Sequence, residues 1–266
     1  MNIQHPIIMS SILFEIKNNI ARITLNRPDK FNSFDKEMAM AMQDALTTCA
    51  NNEAIRAVLI TGNGKAFCAG QDLAEATSDA FPGFTEVVSK HYNPIIAQMR
   101  SLALPIIVGV NGVAAGAGAN IALAGDIVVA AQSASFIQAF SKIGLVPDSG
   151  GTFTLPRLIG MQRASALMML GDKVNAADAL QMGMLYKVFA DEEFANCLQA
   201  LAEQVAAMPT TGLALTKQLL NESFANTLEE QLNKECILQK EAGESADYKE
   251  GVNAFLEKRK PVFSGK

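Results

Sequence analysis

The sequence contains no tryptophan and only two histidines, His5 and His91. A zinc site or a Ser-His-Asp relay would have to rest on His91 alone, because His5 stands at the start of the chain, so neither is expected. The four cysteines, Cys49, Cys68, Cys197 and Cys236, show no metal-knuckle spacing and follow no secretion signal. They are read as reduced thiols of a cytoplasmic protein, and no metal is expected. Charged residues make up 18% of the chain, below the usual proportion of roughly a quarter. The net charge of −5 argues against a nucleic-acid binder, which would carry a basic face. It leaves room for an acidic small ligand met by a local basic cluster. No apolar run approaches the length of a membrane-spanning helix. Met1–Ser10 lacks the charged-then-apolar order of a signal peptide.

What is present is apolar: 49% of the 266 residues are hydrophobic. That is ample for a sizeable core in one large domain, or a domain with an appendage. With so few charges, part of the surface is expected to be covered between subunits. Ile12–Ile16 and Ile20–Leu25 read as two strands around the hairpin signal Lys17-Asn18-Asn19. Asn32 or Ser33 is expected to cap a helix carrying Met38, Met42, Ala45 and Leu46 at helical spacing. Ala57–Thr61, Ile106–Val110, Ile127–Ala130 and Tyr186–Phe189 read as strands. Residues 84–100 read as helical, with Pro94 starting or kinking a helix. Asn175 with Asp178 is a helix-start signature, and that helix is expected to stop at Gly183. From Asp191 the pattern is helical, broken at Pro209. Strands alternating with helices indicate an α/β fold with a parallel sheet. The chain divides into a core over residues 1–200 and a helical region over 201–266.

Two stretches carry chemistry. Pro105–Asp126 runs from a strand through Gly116-Ala117-Gly118-Ala119 into a buried helix. Ala57–Thr61 is a strand followed by Phe67-Cys68-Ala69-Gly70-Gln71-Asp72-Leu73. Tiny side chains let a ligand approach the backbone, and a helix start presents unpaired N–H groups to it. The arrangement suits an anion or oxyanion site. The plainer alternative is close packing of helix on sheet. Both nucleotide motifs fail: Ile121 stands where a dinucleotide fingerprint needs glycine, and no Gly-Lys-Ser/Thr follows.

With NRPDKFN upstream and VPDSGG downstream, these stretches resemble the crotonase (enoyl-CoA hydratase/isomerase) superfamily from Leu13 to about Phe263. FCAGQDL, VNGVAAGAGA, AFSKIGLVPDSGGT and SADYKEGVNAFLEKRKP resemble in particular its branch acting on the ring epoxide of phenylacetyl-CoA and on 3-enoyl-CoA. The resemblance implies a spiral of ββα units with a C-terminal helical trimerisation region, assembled as a homotrimer or hexamer. It implies an acyl-CoA thioester as substrate, with coenzyme A entering as part of it and no other cofactor. The oxyanion donors would be the backbone N–H groups of Gln71 and Ala117. Lys30, Phe31, Ala69, Asp72, Leu73, Phe255 and Lys258 would bind coenzyme A. Phe255 and Lys258 are three apart and would share a helix face. Lys30 could equally be a solvated loop lysine, and the C-terminal segment a plain amphipathic tail.

Tyr92, Asn120 and Phe140 would line the acyl pocket. Asn120 and Phe140 also occupy the positions of the two glutamates with which hydratases of the family add water. Neither transfers a proton as a carboxylate does. Asp148 is the remaining acid, and one carboxylate suffices to move a proton between two carbons. An apolar surround including Phe140 and Val146 would raise its pKa. The plainer reading of Asp148 is a helix N-cap. The expected activity is therefore an acyl-CoA isomerase. The alternatives are a hydratase, a dehalogenase-like hydrolase needing His91 nearby, or a non-catalytic member binding coenzyme A or RNA.

Overall fold

The computed structural model describes residues 7–9 and 11–266; His5 lies outside the described residues. Eleven strands are present among them: β1 (Ile7–Met9), β2 (Ile12–Lys17), β3 (Ile20–Leu25), β4 (Ala57–Gly62), β5 (Ala66–Cys68), β6 (Ile106–Val110), β7 (Val113–Ala115), β8 (Ile127–Ala131), β9 (Ser135–Ile137), β10 (Lys173–Asn175) and β11 (Lys187–Phe189). They form two sheets. The larger has seven strands in the order β1-β2-β3-β4-β6-β8-β11, and the smaller has four in the order β10-β9-β7-β5. The β1/β2 and β2/β3 pairs are antiparallel, and from β3 onward the larger sheet is parallel.

The chain winds by repeating one step. β4, β6 and β8 each lie in the larger sheet. Each is followed within a few residues by β5, β7 and β9 of the smaller sheet. After β5 and β7 a helix returns the chain to the larger sheet, which is the expected ββα spiral. β4 and β6 are buried on both faces, which explains their uninterrupted apolar sequence. The β2–β3 hairpin turns on Asn18 and Asn19, both at positive φ. That is the backbone a two-residue hairpin requires, and asparagine tolerates it.

Several local expectations are corrected. Helix Lys36–Ala50 is capped by Asp35, whose side chain accepts from Met38 N, and not by Asn32 or Ser33. Asn32 is buried and clamps loops instead: Nδ2 donates to the Asn63 and Ala66 carbonyls, and Oδ1 accepts from Arg27 N. Residues 84–101 are helical, with a π-helical stretch Val87–Tyr92 feeding helix Asn93–Ser101, which Pro94 starts. Asn175 caps helix Ala176–Met182 as expected, and Gly183 ends it at φ 94°. Four helices complete the chain: Phe194–Ala206, Thr210–Glu222, Leu228–Glu244 and Ala246–Leu256. The first spans residue 200 and contributes Leu198, Ala202 and Val205 to the core. The later ones leave Leu220, Leu228, Leu232 and Ile237 exposed, as is Phe224 in the turn between two of them. No helix among the described residues is long and apolar enough to cross a membrane.

Candidate active site

The two small-residue turns meet. β5 and β7 pair in parallel and bring Cys68 beside Ala114. The turn after β5 is pinned on its other side: Phe34 N donates to Gly70 O, and Asp72 N donates to Phe34 O. Gln71 N–H therefore points away from Phe34 and donates to no carbonyl among the described residues. Ala117 opens helix Ala117–Leu123, so its N–H has no partner within the helix. The turns are packed as closely as backbone allows. A methyl on Gly70 would stand 3.0 Å from Ala115 O and 3.6 Å from Ala117 N, and one on Gly118 would stand 2.4 Å from Cys68 O. Two open amides on abutting turns form a place for an oxygen that carries negative charge. Phe140 is buried against the same turn, its ring 3.8 Å from where a Gly116 methyl would be.

Asp148 approaches from helix Gly151–Ile159. It is not the cap of that helix: Gly150 occupies the N-cap and no side chain caps it. The Asp148 carboxylate instead accepts from Ser149 Oγ at 2.9 Å. Burial disfavours its charged form and holds its pKa above the ordinary aspartate value, outweighing the Ser149 bond. Val146, expected in an apolar surround of Asp148, is 81% exposed. Asn120 ties the Asp148 turn to the Ala117 helix, donating from Nδ2 to Asp148 O at 2.9 Å. Tyr92 closes the third side. Its ring packs edge-on against Phe34, with centroids 6.2 Å apart. One helical turn on, Ile96 lies 3.4 Å from where a Gly150 methyl would be. Burial, and then the charge of Asp148, push the Tyr92 phenol up.

The expected coenzyme A residues divide. Lys30, Phe31, Ala69 and Leu73 are exposed on one rim, where Ala69 N donates to Phe31 O. Asp72 shares that segment, but its carboxylate is buried and committed. It pairs with Arg27 at 2.8 Å and caps helix Leu73–Ala76 through Ala74 N. Arg27 lowers its pKa against the effect of burial. Phe255 and Lys258 do not share a helix face, because the helix ends at Leu256 and Lys258 adopts φ 56° beyond it. Phe255 lines a separate groove with Tyr248, Val252 and Phe263. Asn120 is only 1% exposed and both ends of its amide are bonded, so it stands behind Asp148 and not on an open wall.

His91 is buried, as are Cys49 and Cys68. Burial pushes the Cys68 thiol up to about 12, which removes it as a nucleophile at neutral pH. Among the described residues no group of three or more His, Cys, Asp or Glu could hold a metal ion. A cavity of about 870 Å³ reaches the Gly150 turn. It is lined by Arg100, Phe153, Arg157, Lys217 and Phe224, and by none of Gln71, Ala117 and Asp148. Chemistry favours the amide and carboxyl site over this apolar chamber. Gln138 was invisible in the sequence: it bonds Asn120, and only the fold brings them together.

Residues 15–266 match the family described as enoyl-CoA hydratase/isomerase. The chain is 47% identical to the 1,2-epoxyphenylacetyl-CoA isomerase of Escherichia coli (strain K12), over 97% of this chain and 100% of that one. It is 43% identical to a Rhodobacter capsulatus protein named "Probable enoyl-CoA hydratase", over 96% of this chain and 98% of that one. The crystal structure of an enoyl-CoA hydratase from Bacillus anthracis superposes with a TM-score of 0.92 at 30% identity, covering 97% of this chain and 100% of that one. With the ββα spiral, the paired turns and matches over nearly its whole length, this chain belongs to the enoyl-CoA hydratase/isomerase family, the crotonase superfamily.

Proposed function

We propose that the protein is an acyl-CoA isomerase that moves a double bond from the 3 to the 2 position or rearranges the ring epoxide of phenylacetyl-CoA. One observation supports this reading: the half-buried carboxyl of Asp148 sits on a turn that Asn120 ties to the helix opened by Ala117, while Asn120 and Phe140 supply no second acid. The thioester oxygen sits between the N–H groups of Gln71 and Ala117. Asp148 takes a proton from the carbon beside the thioester carbonyl. The negative charge moves to the oxygen, where fixed amides stabilise it. Protonated Asp148 then returns the proton two carbons further along, and the double bond comes into conjugation. A carboxyl whose pKa is raised by burial is a stronger base, which suits the first step. Tyr92 and Phe140 bound the acyl group. Lys30, Phe31, Ala69 and Leu73 hold coenzyme A, with the backbone of Asp72. Phe255 and Lys258 reach a coenzyme A held by a neighbouring subunit. Coenzyme A enters as part of the substrate and no further cofactor takes part.

The exposed apolar side chains of the last helices support a homotrimer or hexamer, and the acidic balance favours no nucleic-acid partner. Hydration is the second reading, favoured by the names of relatives such as those from Rhodobacter capsulatus and Bacillus anthracis. The test is a panel of 3-hexenoyl-CoA, crotonyl-CoA and the ring epoxide of phenylacetyl-CoA. Isomerisation of the first or third should far exceed hydration of the second. Fast hydration of crotonyl-CoA would sink the single-carboxylate reading.

A further inference from the structure

We propose that Gln138 and Asn120 form a positioning strut for Asp148, so that Asn120 serves the reaction through the Asp148 backbone and not as a wall of the acyl pocket. The inference rests on Asp148 being the acid/base of the isomerase reading.

The hydrogen bonds run in one direction. Gln138 Nε2 donates to Asn120 Oδ1 at 2.8 Å, and Asn120 Nδ2 donates to the Asp148 carbonyl at 2.9 Å. A carbonyl oxygen only accepts, so the Asp148 end fixes which way the Asn120 amide faces. That in turn requires Gln138 to present its N–H₂. The strut is sealed from water: Asn120 is 1% exposed and Gln138 3%. Gln138 Oε1 is buried with no partner among the described residues. An unmade bond of this kind is unfavourable, so it argues for a role that the other end of the amide fulfils.

The turn being held is strained. Ser149 lies at φ 50° and Gly150 at φ 69°, two successive left-handed residues of which the first is not glycine. Such a turn persists when its surroundings over-determine it. Here Asp148 O accepts from Gly151 N at 2.9 Å as well as from Asn120. There is no slack: a methyl on Gly151 would stand 2.3 Å from Asn120 Nδ2. Gln138 follows β9 directly and precedes the turn Ala139–Ile143 that carries Phe140. The strut therefore fixes the Asp148 carboxyl relative to the small sheet whose β5 and β7 lead into the two open amides. A carboxylate at position 120 would set its lone pairs against the Asp148 carbonyl and could not hold it.

The test uses Asn120→Ala, and Gln138→Met, which keeps the length of the side chain and removes its donor. Steady-state isomerisation of 3-hexenoyl-CoA is measured with each, alone and in an Asp148→Asn background. A misplacement on the order of 1 Å can lower rate by about 10². We expect Asn120→Ala to lower kcat by about that factor and Gln138→Met by roughly tenfold, with KM nearly unchanged. In the Asp148→Asn background neither should lower kcat further. A rise in KM at constant kcat, or full additivity with Asp148→Asn, would overturn the strut and return Asn120 to the pocket or to the fold alone. If Asn120→Ala does not fold, Gln138→Met carries the same comparison. If Asp148→Asn leaves turnover intact, the acid/base reading itself fails, and the two failures are distinct.

Discussion

Replacing Asp148 by asparagine separates catalysis from architecture because the structure shows what the side chain does locally. It accepts from Ser149 Oγ and from its own backbone N–H, and caps no helix. Asparagine keeps an oxygen in that place, so the local cost is at most a fraction of the ~1 kcal/mol of an ordinary hydrogen bond. What is lost is the proton carrier. General-base catalysis is worth about 10²–10⁴ in rate, or roughly 3–5 kcal/mol of barrier at about 1.4 kcal/mol per tenfold. Stability should move the other way. The folded carboxyl has a raised pKa because burial disfavours its charge. The folded state therefore binds this proton more tightly than the unfolded chain does. The resulting stabilisation is complete below the ordinary aspartate value of about 3.9 and is lost as pH rises through the folded value. Wherever the group is ionised, its burial is a liability that asparagine removes. Stopped-time isomerisation of 3-hexenoyl-CoA and thermal melts across pH test both halves. Turnover should fall at least about a hundredfold, and the melting temperature at pH 7 should equal or exceed that of the parent. In the parent, activity should decline on acidification at a pH above the ordinary aspartate value. A variant with normal turnover and a lower melting temperature at pH 7 would refute the reasoning, because that is how a purely structural aspartate behaves.

Ala117→Pro should fold, because proline is well accepted at the first position of a helix and Ala117 occupies it; removing its N–H should lower kcat by about 10²–10³, read on the same substrate. Normal turnover by the folded variant would remove Ala117 from the mechanism. Lys217→Met should lower unfolding free energy by about 3 kcal/mol, measured by denaturant titration. Lys217 is 7% exposed and pairs with Asp126 at 2.8 Å, and its removal leaves Asp126 with Arg100 alone among the cations. Lys258→Ala should weaken coenzyme A binding several-fold at low salt, with the difference closing as salt screens it. Equal affinity at low salt would end the phosphate role.

The sequence determined much of what rests on neighbours along the chain. Unbroken apolar runs announced β4, β6 and β8, because a strand buried on both faces has no polar positions to alternate. Asn18-Asn19 announced the hairpin, and Asn175 with Asp178 the helix start, since each is a local bond. FCAGQDL and VAAGAGA were also legible as two small-residue turns after strands, whereas singling out Asp148 beside Asn120 and Phe140 came from the resemblance to the crotonase superfamily and not from spacing. Only the tertiary structure decided what those residues bond to. β5, β7, β9 and β10 have three residues each, too few for any periodicity, and exist because each finds a partner strand. Asp35 won the helix cap because Asn32 was drawn away to carbonyls more than thirty residues downstream. Val146 is apolar yet faces water, and Lys258 falls just past the last helical turn, so composition and spacing misplaced both. Gln138 reaches Asn120 across eighteen residues and Asn120 reaches Asp148 across twenty-eight. A hydrogen bond closed over such distances leaves no local signature, because its geometry is set by how the two sheets and the helix between them pack.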